Sequence, residues 1–295
     1  MEKLLPECLL IGAAKSGTTS LAFYLSQHPD VLLAKDKEAH FFDSDERYSR
    51  GLVYFRDQFF SKAKQEKVWI DATPGYMHLY GKTISRIKES YGESTPRFVV
   101  VLRDPVKRSY SHYKHRVRNG KEVLSFEEAI KAESERIDND PDEWWRYRSD
   151  SLYGEQLEAW FRAFGADQFL VIKQEQLRAD PLGTTNSVLR FLSIDQPLEA
   201  LDGGAQNPAS EPRFRWLNRL LNVPLPLPRW ITRKLLGEAG QRLRKRLRKL
   251  NQVPENSPDS TAQPNEDWMK GFRQTFSEDL RRLEALTQRS FDEWK

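Results

Sequence analysis

The segment LLIGAAKSGTTS, residues 9–20, constrains the fold more than any other part of the chain. It begins with a short, uninterrupted apolar run, which is typical of a strand buried on both faces of a parallel sheet. Gly12 and Gly17 then bracket a turn that contains Lys15, and helical spacing of apolar residues begins at Thr18. A turn from a strand into a helix presents unpaired backbone N–H groups and the positive end of the helix. The segment therefore predicts a site for a phosphate-like anion.

The position of the lysine separates this turn from a Walker-type nucleotide loop. Lys15 comes before the second glycine, whereas a Walker loop places its lysine after the second glycine, at the start of the helix. Hydroxyl donors flank Gly17 on both sides: Ser16, Thr18 and Thr19. The alternative interpretation is a tight structural turn with a solvated lysine.

Strand-like and helix-like segments alternate along the first 200 residues. Four strands are predicted, over residues 8–14, 67–74, 97–105 and 167–177. Helical spacing is found over 18–27, 80–91, 105–118, 152–164 and 181–193. This alternation predicts an α/β fold with a P-loop-NTPase-like central parallel β-sheet flanked by α-helices. Ligands of such sheets bind at the carboxyl ends of the strands, so the loops 12–17, 71–76 and 103–111 should converge there.

The pattern changes after residue 200, where glycine, proline and basic residues become frequent. We expect a single domain over 1–295, with its core at 8–200. The remainder, 207–295, would be a helical and basic extension that contains a mobile loop at 251–267. A final amphipathic helix is predicted over 272–294.

The charge balance and the single cysteine exclude several classes of protein. Lys plus Arg number 47 against 43 Asp plus Glu, a net charge of +4, which is too balanced for a nucleic-acid-binding protein. With Cys8 alone, the chain can form neither an intramolecular disulfide nor a thiolate zinc cluster, and no metal site is predicted.

The hydrophobic pattern contains neither a signal peptide nor the roughly 18 consecutive apolar residues that a membrane span needs. We therefore expect a cytoplasmic protein. The stretch QRLRKRLRKL, residues 241–250, has leucines on one helical face and basic residues elsewhere. It predicts peripheral contact with anionic lipid at the inner face of the membrane, or else a solvated basic face on a packed helix.

Several segments, in order, resemble the sulfotransferases that use 3′-phosphoadenosine 5′-phosphosulfate (PAPS). LLIGAAKSGTTSLAFYLSQHPDV resembles their 5′-phosphosulfate loop, and VVVLRDPVKRSYSHY resembles their 3′-phosphate-binding strand and helix. KEAHFFD, residues 37–43, is similar to the heparan sulfate glucosaminyl sulfotransferase branch. The resemblance extends almost continuously from residue 8 to 195 and includes the C-terminal helix.

This resemblance implies PAPS as co-substrate without a metal, and it implies roles for individual residues. Lys15 would contact the 5′-phosphate and the leaving oxygen, as a catalytic and a cofactor-binding residue. The rest of the loop would bind the phosphosulfate: Ser16, Gly17, Thr18 and Thr19. Arg103 and Ser111 would bind the 3′-phosphate. Arg213 is the candidate replacement for a C-terminal phosphate contact of the family that this chain does not have.

On the acceptor side, the resemblance implies that Glu38 is the general base and takes a proton from the attacking hydroxyl or amine. His40 is the rival base or a neighbour of the substrate. Other predicted acceptor-binding residues are Lys37, Asp71 and Tyr76. By this resemblance the acceptor would be a small molecule, a carbohydrate or a glycolipid. One departure is clear: the branch commonly reads E-K-T-P where this chain reads Asp71-Ala72-Thr73-Pro74.

Aromatic residues and histidine recur in loops that could line an acceptor cleft: Tyr76, His78, Trp144, Trp145 and Tyr147. Ordinary packing is the alternative for each of them. Two other functions remain open. A nucleotide-dependent kinase or NTPase would require Mg²⁺ and would be indifferent to a 3′-phosphate. A non-catalytic, membrane-associated nucleotide-binding adaptor would bind liposomes without turnover.

Overall fold

A computed structural model describes residues 3–139, 145–203, 210–212, 252–254 and 265–295. A five-stranded sheet with every neighbouring pair parallel forms the centre of the fold, in the order β2-β3-β1-β4-β5. Its strands are β1 (Cys8–Gly12), β2 (Val31–Leu33), β3 (Val68–Asp71), β4 (Arg97–Leu102) and β5 (Phe169–Lys173). The predicted α/β class with a central parallel sheet is confirmed.

Helices follow the strands as crossover connections, as parallel pairing requires. The first seven are α1 (Thr18–Leu25), α2 (Asp45–Tyr48), α3 (Gly51–Phe59), α4 (Tyr80–Tyr91), α5 (Pro105–Arg118), α6 (Phe126–Lys131) and α7 (Glu133–Asn139). The next five are α8 (Tyr153–Phe164), α9 (Gln174–Ala179), α10 (Pro181–Phe191), α11 (Glu266–Gln274) and α12 (Ser277–Thr287). None of the helices within the described ranges is long and apolar enough to cross a membrane.

Both faces of the sheet are buried, which explains the continuous apolar runs of its strands. On one face, Leu10 and Val99 belong to a buried cluster with residues of α1 and α10. On the other face, Phe98 stacks on Phe169 at 4.5 Å between ring centroids and contacts Trp160 of α8.

The chain divides into two compact units. The first comprises Met1–Arg108, Ser149–Gln206 and Arg273–Lys295, and it contains the five-stranded sheet. The second comprises Ser109–Arg148 and Asn207–Phe272.

Inside the second unit, a capping box starts α6, and the buried Glu122 accepts hydrogen bonds from Tyr147 and Arg136. Strands β6 (Ser210–Pro212) and β7 (Gln252–Pro254) pair in the antiparallel sense.

The structure differs from the predicted elements in several places. Helices α2, α3, α6 and α7 were not predicted, and the strand predicted over 167–177 ends at Lys173, where α9 begins. β2 has only three residues and was not predicted. The helix expected over 272–294 is instead two helices, α11 and α12, followed by a short 3₁₀ turn at Asp292–Trp294. Most of the predicted mobile loop and the basic stretch 241–250 lie outside the described residues.

Candidate active site

The loop between β1 and α1 has the backbone conformation that its sequence predicts. Gly17 precedes α1 with φ 102°, in the left-handed region, where a side chain would be strained. Lys15 also has a positive φ, 72°. Ser16 and Thr18 are buried, whereas Thr19 is half-buried. The loop thus ends with the first N–H groups of α1, which have no partner within the helix.

Gly12 has a different role from the one that a phosphate loop suggests. A Cβ atom at Gly12 would lie 2.7 Å from the side chain of Met77, so this glycine allows close packing on the turn after β3. The backbone N–H of Met77 donates to the carbonyl of Ile11 at 2.9 Å. The loops after β1 and β3 are therefore joined.

Arg108, for which no role was predicted, anchors the loop between β1 and α1 (residues 13–17), here called the phosphate-like loop. Its side chain is fully buried on α5, and its Nε donates to the carbonyl of Ala14 at 3.0 Å. Its guanidinium also contacts the Asp150 carboxylate at 2.9 Å. The only signal in the sequence is an arginine one turn after Arg-Asp-Pro, a position that also suits a solvated residue.

Arg103 lies at the carboxyl end of β4, as predicted, and joins the same loop. Its Nη1 donates to the carbonyl of Lys15 at 3.2 Å. The Nε atom of Arg103 is buried and has no hydrogen-bond partner among the described residues. Burial lowers the pKa of Arg103, and the nearby charge of Arg178 lowers it further. A half-buried guanidinium with a buried, unsatisfied donor is suited to an anion.

α9 begins beside the phosphate-like loop. A Cβ atom at Gly17 would lie 3.5 Å from both Nε2 of Gln174 and Cδ2 of Leu177. Gln174 is buried and brings an amide donor next to the loop. No role was predicted for Gln174, because it stands among other polar residues in the sequence.

A carboxylate–imidazole–carboxylate arrangement follows β2. His40 Nε2 is 3.3 Å from Oε2 of Glu38, and its Nδ1 is 2.8 Å from Oδ2 of Asp43. Lys37 Nζ contacts the other oxygen of Glu38 at 2.6 Å. The structure thus brings the predicted residues Lys37, Glu38 and His40 together and adds Asp43, whose side chain is 7% exposed.

These contacts set the charges of the group. Hydrogen bonds to Asp43 and Glu38 raise the pKa of His40 to about 10 against the opposing effect of burial. Burial by itself would raise the pKa of Glu38, but hydrogen bonds from His40 and Lys37 outweigh it and lower that pKa to about 2. At neutral pH the group is therefore an imidazolium between two carboxylates.

Asp71 and Tyr76, predicted to bind the acceptor, are fully buried and do not face solvent. The Tyr76 hydroxyl donates to Oδ2 of Asp71 at 2.6 Å, and the Thr73 hydroxyl donates to Oδ1 at 2.6 Å. Burial raises the pKa of Asp71 to about 6. Both residues contact the backbone that follows Glu38: Asp71 accepts the N–H of Ala39, and Tyr76 accepts those of Phe41 and Phe42.

The remaining predicted residues lie in different parts of the chain. His78 is half-buried in the first unit, 3.9 Å from the Asp150 carboxylate. In the second unit, Ser111 is on α5, Tyr147 is buried against Glu122, and the ring of Trp145 lies beside Arg116 and Arg136. Trp144 and Arg213 lie outside the described residues.

The fold and this site define an α/β protein in which a strand–loop–helix turn suited to an anion and an ion-paired carboxylate–imidazole–carboxylate group lie at the same edge of a parallel sheet. The comparisons with known proteins agree with this class. The family description "sulfotransferase domain" matches residues 5–206, more than half of the chain. The chain therefore belongs to the sulfotransferase family.

Individual relatives are similar over the same part of the chain. Heparan sulfate glucosamine 3-O-sulfotransferase 3A1 of Mus musculus is 32% identical over 194 residues, which cover 65% of this chain and 47% of the relative. Heparan sulfate glucosamine 3-O-sulfotransferase 5 of Homo sapiens is 32% identical over 198 residues, with 64% and 54% covered. The chain thus spans about half the length of the curated relatives it matches.

A solved structure is similar over nearly the whole chain. The crystal structure of a sulfotransferase from Alicyclobacillus acidocaldarius has a TM-score of 0.67 and 26% identity, and the match covers 98% of each chain. The expected resemblance to sulfotransferases is confirmed.

Proposed function

We propose that the protein transfers the sulfuryl group of PAPS to a hydroxyl of a carbohydrate acceptor. The donor would bind across the loop after β1 and the end of β4. Lys15 and the N–H groups at the start of α1 would face the phosphosulfate, and Arg103 would face the 3′-phosphate. Sulfuryl transfer resembles phosphoryl transfer in that charge develops on the leaving oxygen, so a cation at that position lowers the barrier.

The observation that carries the donor assignment is the half-buried guanidinium of Arg103, whose Nε atom is buried. Its Nε has no partner among the described residues, and its Nη1 contacts only a carbonyl of the phosphate-like loop. A buried donor atom without a partner is costly, and a bound phosphate would supply acceptor atoms together with a negative charge. Bidentate geometry between an arginine and a phosphate would make that contact specific.

The protonation states favour Glu38 over His40 as the base. His40, with its pKa raised to about 10, already carries its proton at neutral pH and cannot accept another. Glu38 is ionised, and an acceptor hydroxyl that displaces Lys37 or His40 from one of its oxygens would meet a carboxylate. Its pKa of about 2 makes it a weak base in this arrangement, so proton transfer would come late, as the bond to sulfur forms.

The acceptor class rests on the relatives, since the loops of this chain carry no recognisable acceptor signature. The matched relatives are described as heparan sulfate glucosamine 3-O-sulfotransferases. Glucosamine-containing oligosaccharides are therefore the first acceptors to test.

Calorimetric titration with 3′-phosphoadenosine 5′-phosphate, ADP and ATP in the absence of magnesium tests the donor. We expect tight binding only of the 3′-phosphorylated nucleotide, and Arg103→Ala should weaken it by about 10- to 100-fold, the loss of charge-assisted hydrogen bonds. Arg97→Ala is the matched control because Arg97 lies at the opposite end of the same strand, where it contacts the carbonyl of Asp167. It should leave the affinity unchanged.

Other outcomes would point to the alternative functions. Equal binding of ATP that requires Mg²⁺ would favour a kinase or NTPase. Tight binding of the 3′-phosphorylated nucleotide without transfer to any acceptor would favour a non-catalytic adaptor. Glu38→Gln separates donor binding from catalysis. It should lower the rate of sulfuryl transfer by about 10²-fold or more and leave nucleotide binding unchanged.

A further inference from the structure

The backbone of residues 37–42, here called the Glu38 segment, donates hydrogen bonds to side chains at the end of β3 and in the turn that follows it. The N–H of Ala39 donates to Oδ1 of Asp71 at 3.2 Å, and the N–H of His40 donates to the Thr73 hydroxyl at 3.2 Å. The Tyr76 hydroxyl accepts the N–H groups of Phe41 at 3.0 Å and Phe42 at 3.3 Å. Three side chains thus accept hydrogen bonds from four consecutive N–H groups of the segment.

These three side chains form one network with Asp71 at its centre. The hydroxyls of Thr73 and Tyr76 each donate their only proton to the Asp71 carboxylate, both at 2.6 Å. Because that proton is committed to Asp71, the lone pairs of each hydroxyl face the Glu38 segment. The carboxylate therefore sets the direction of the hydrogen bonds that Thr73 and Tyr76 make with the segment.

The segment needs this support because its backbone is strained. Lys37 and His40 have positive φ values of 68° and 46°, as does Asp36 at 64°. Such conformations persist in residues other than glycine only when surrounding contacts hold them. The two residues whose N–H groups meet Asp71 and Thr73, Ala39 and His40, directly follow Glu38 in the chain.

We propose that Asp71 is a positioning residue for the acid–base group: through Thr73 and Tyr76 its carboxylate fixes the Glu38 segment so that Glu38 and His40 face the acceptor. This inference rests on the proposed function and deepens it, since it assigns to a buried residue the geometry of the base. Asp71 touches neither substrate nor reacting atoms in this assignment.

Asparagine cannot replace Asp71 in the network. Its single amide oxygen can accept from Thr73 and Ala39 or from Tyr76, but not from both sides. The NH₂ group on the other side would face a hydroxyl that must then turn its proton elsewhere, which disturbs the bonds to the segment. The shape of the side chain changes little, so Asp71→Asn tests the direction of the bonds and not the packing.

The charge state of Asp71 gives a second readout. It forms no ion pair with any residue in the described ranges, and burial raises its pKa to about 6. The titratable groups that interact with Asp71 include Asp43, Tyr76, Tyr91 and Cys8, and Arg47 donates to the carbonyl of Ala39, the residue whose N–H bonds to Asp71. Protonation of Asp71 below pH 6 should misdirect the network in the same way as asparagine. The wild-type turnover number should therefore fall below pH 6, whereas Asp71→Asn should have no such limb.

The experiment compares Asp71→Asn, Thr73→Val and a matched control, Thr185→Val. Thr185 is also fully buried with its hydroxyl on a carbonyl, that of Pro181 at 2.7 Å, but it lies on α10 away from the segment. Asp71→Asn and Thr73→Val should each lower kcat by about 10²-fold, the cost of a small misplacement of reacting groups. Binding of 3′-phosphoadenosine 5′-phosphate should not change in any of the three, and Thr185→Val should keep the wild-type kcat.

The titration of His40 by NMR measures the positioning without turnover, with His40→Gln identifying its signal. In wild type the His40 pKa should be near 10, because Asp43 and Glu38 contact the ring. In Asp71→Asn and Thr73→Val it should fall by at least one unit toward the ordinary value of about 6.5.

The outcomes separate this inference from the proposed function. Wild-type turnover and an unchanged His40 titration in a folded, nucleotide-binding Asp71→Asn would overturn the inference. If Asp71→Asn does not fold, Thr73→Val against Thr185→Val decides in the same way. If wild type transfers sulfuryl to no acceptor, the proposed function fails, and the His40 titration alone then supports or overturns the positioning role.

Discussion

Replacing Arg108 with methionine tests whether the phosphate-like loop depends on a buried cation. Arg108 is fully buried, and its guanidinium joins the carbonyl of Ala14 to the carboxylate of Asp150. Methionine has a similar length but no donor. The substitution would leave the Asp150 carboxylate, which is 4% exposed, without the guanidinium that pairs with it.

The magnitude follows from these contacts. Removing one partner of a buried ion pair costs about 3–5 kcal/mol, and losing the bond to the Ala14 carbonyl costs about 1 kcal/mol. We expect the free energy of unfolding to fall by about 4 kcal/mol, since such losses are not fully additive. Binding of 3′-phosphoadenosine 5′-phosphate should weaken too, because the loop that carries Lys15 loses its anchor.

Urea unfolding followed by circular dichroism measures the loss. The matched control is Arg162→Met, since Arg162 pairs with Glu158 at 3.2 Å but its side chain is 78% exposed. That change should alter stability by no more than about 0.5 kcal/mol. The double variant Arg108→Met with Asp150→Asn should recover part of the loss. A decrease of less than about 1 kcal/mol in the unfolding free energy of Arg108→Met would refute the argument, because the buried Arg108–Asp150 pair would then not stabilise the fold.

Three further predictions concern the helix packing, the loop and the acid–base group. Gly154→Ala places a Cβ atom 2.5 Å from the Asp279 carbonyl, so α8 and α12 must separate, and thermal melts should show a destabilisation of about 1–3 kcal/mol. Gly17→Ala forces alanine to φ near 102°, which should cost about 1–2 kcal/mol in unfolding free energy and weaken nucleotide binding measured by calorimetry. The folded-state pKa of His40 is raised, so its stabilising effect is complete below the unfolded value of about 6.5 and is lost as pH rises through about 10. The stability difference between wild type and His40→Gln should accordingly shrink between pH 7 and 10.5. Asp43→Asn should move that loss to lower pH.

The central sheet and the phosphate-like loop were predictable because the sequence patterns that indicate them lie within a few consecutive residues. A buried strand has a continuous apolar run, and the turn after it requires glycine where φ is positive, as at Gly17. β2 escaped prediction because Val31–Leu33 is too short for a periodic pattern. That strand exists only because it pairs with β3, which is distant in the chain.

The acid–base group was predictable only in part. Lys37, Glu38 and His40 were predicted because they lie in one continuous segment, KEAHFFD, that resembles the family. The burial of Asp71 and Arg108 was not predictable, because a charged residue reads as solvated unless the packing around it is known. The direction of a hydroxyl proton, on which the support of the Glu38 segment depends, is a property of the assembled network and of no single residue.

The order of the strands has a consequence for how such a protein can change. The two loops proposed to hold the donor follow β1 and β4, which each have neighbours on both sides, whereas the Glu38 segment follows β2, at the margin of the sheet. A loop that leaves a marginal strand can be lengthened or exchanged while disturbing a single neighbour, here β3. Insertions around the Glu38 segment would therefore disturb β3 alone, and the strands that carry the proposed donor loops would keep their register.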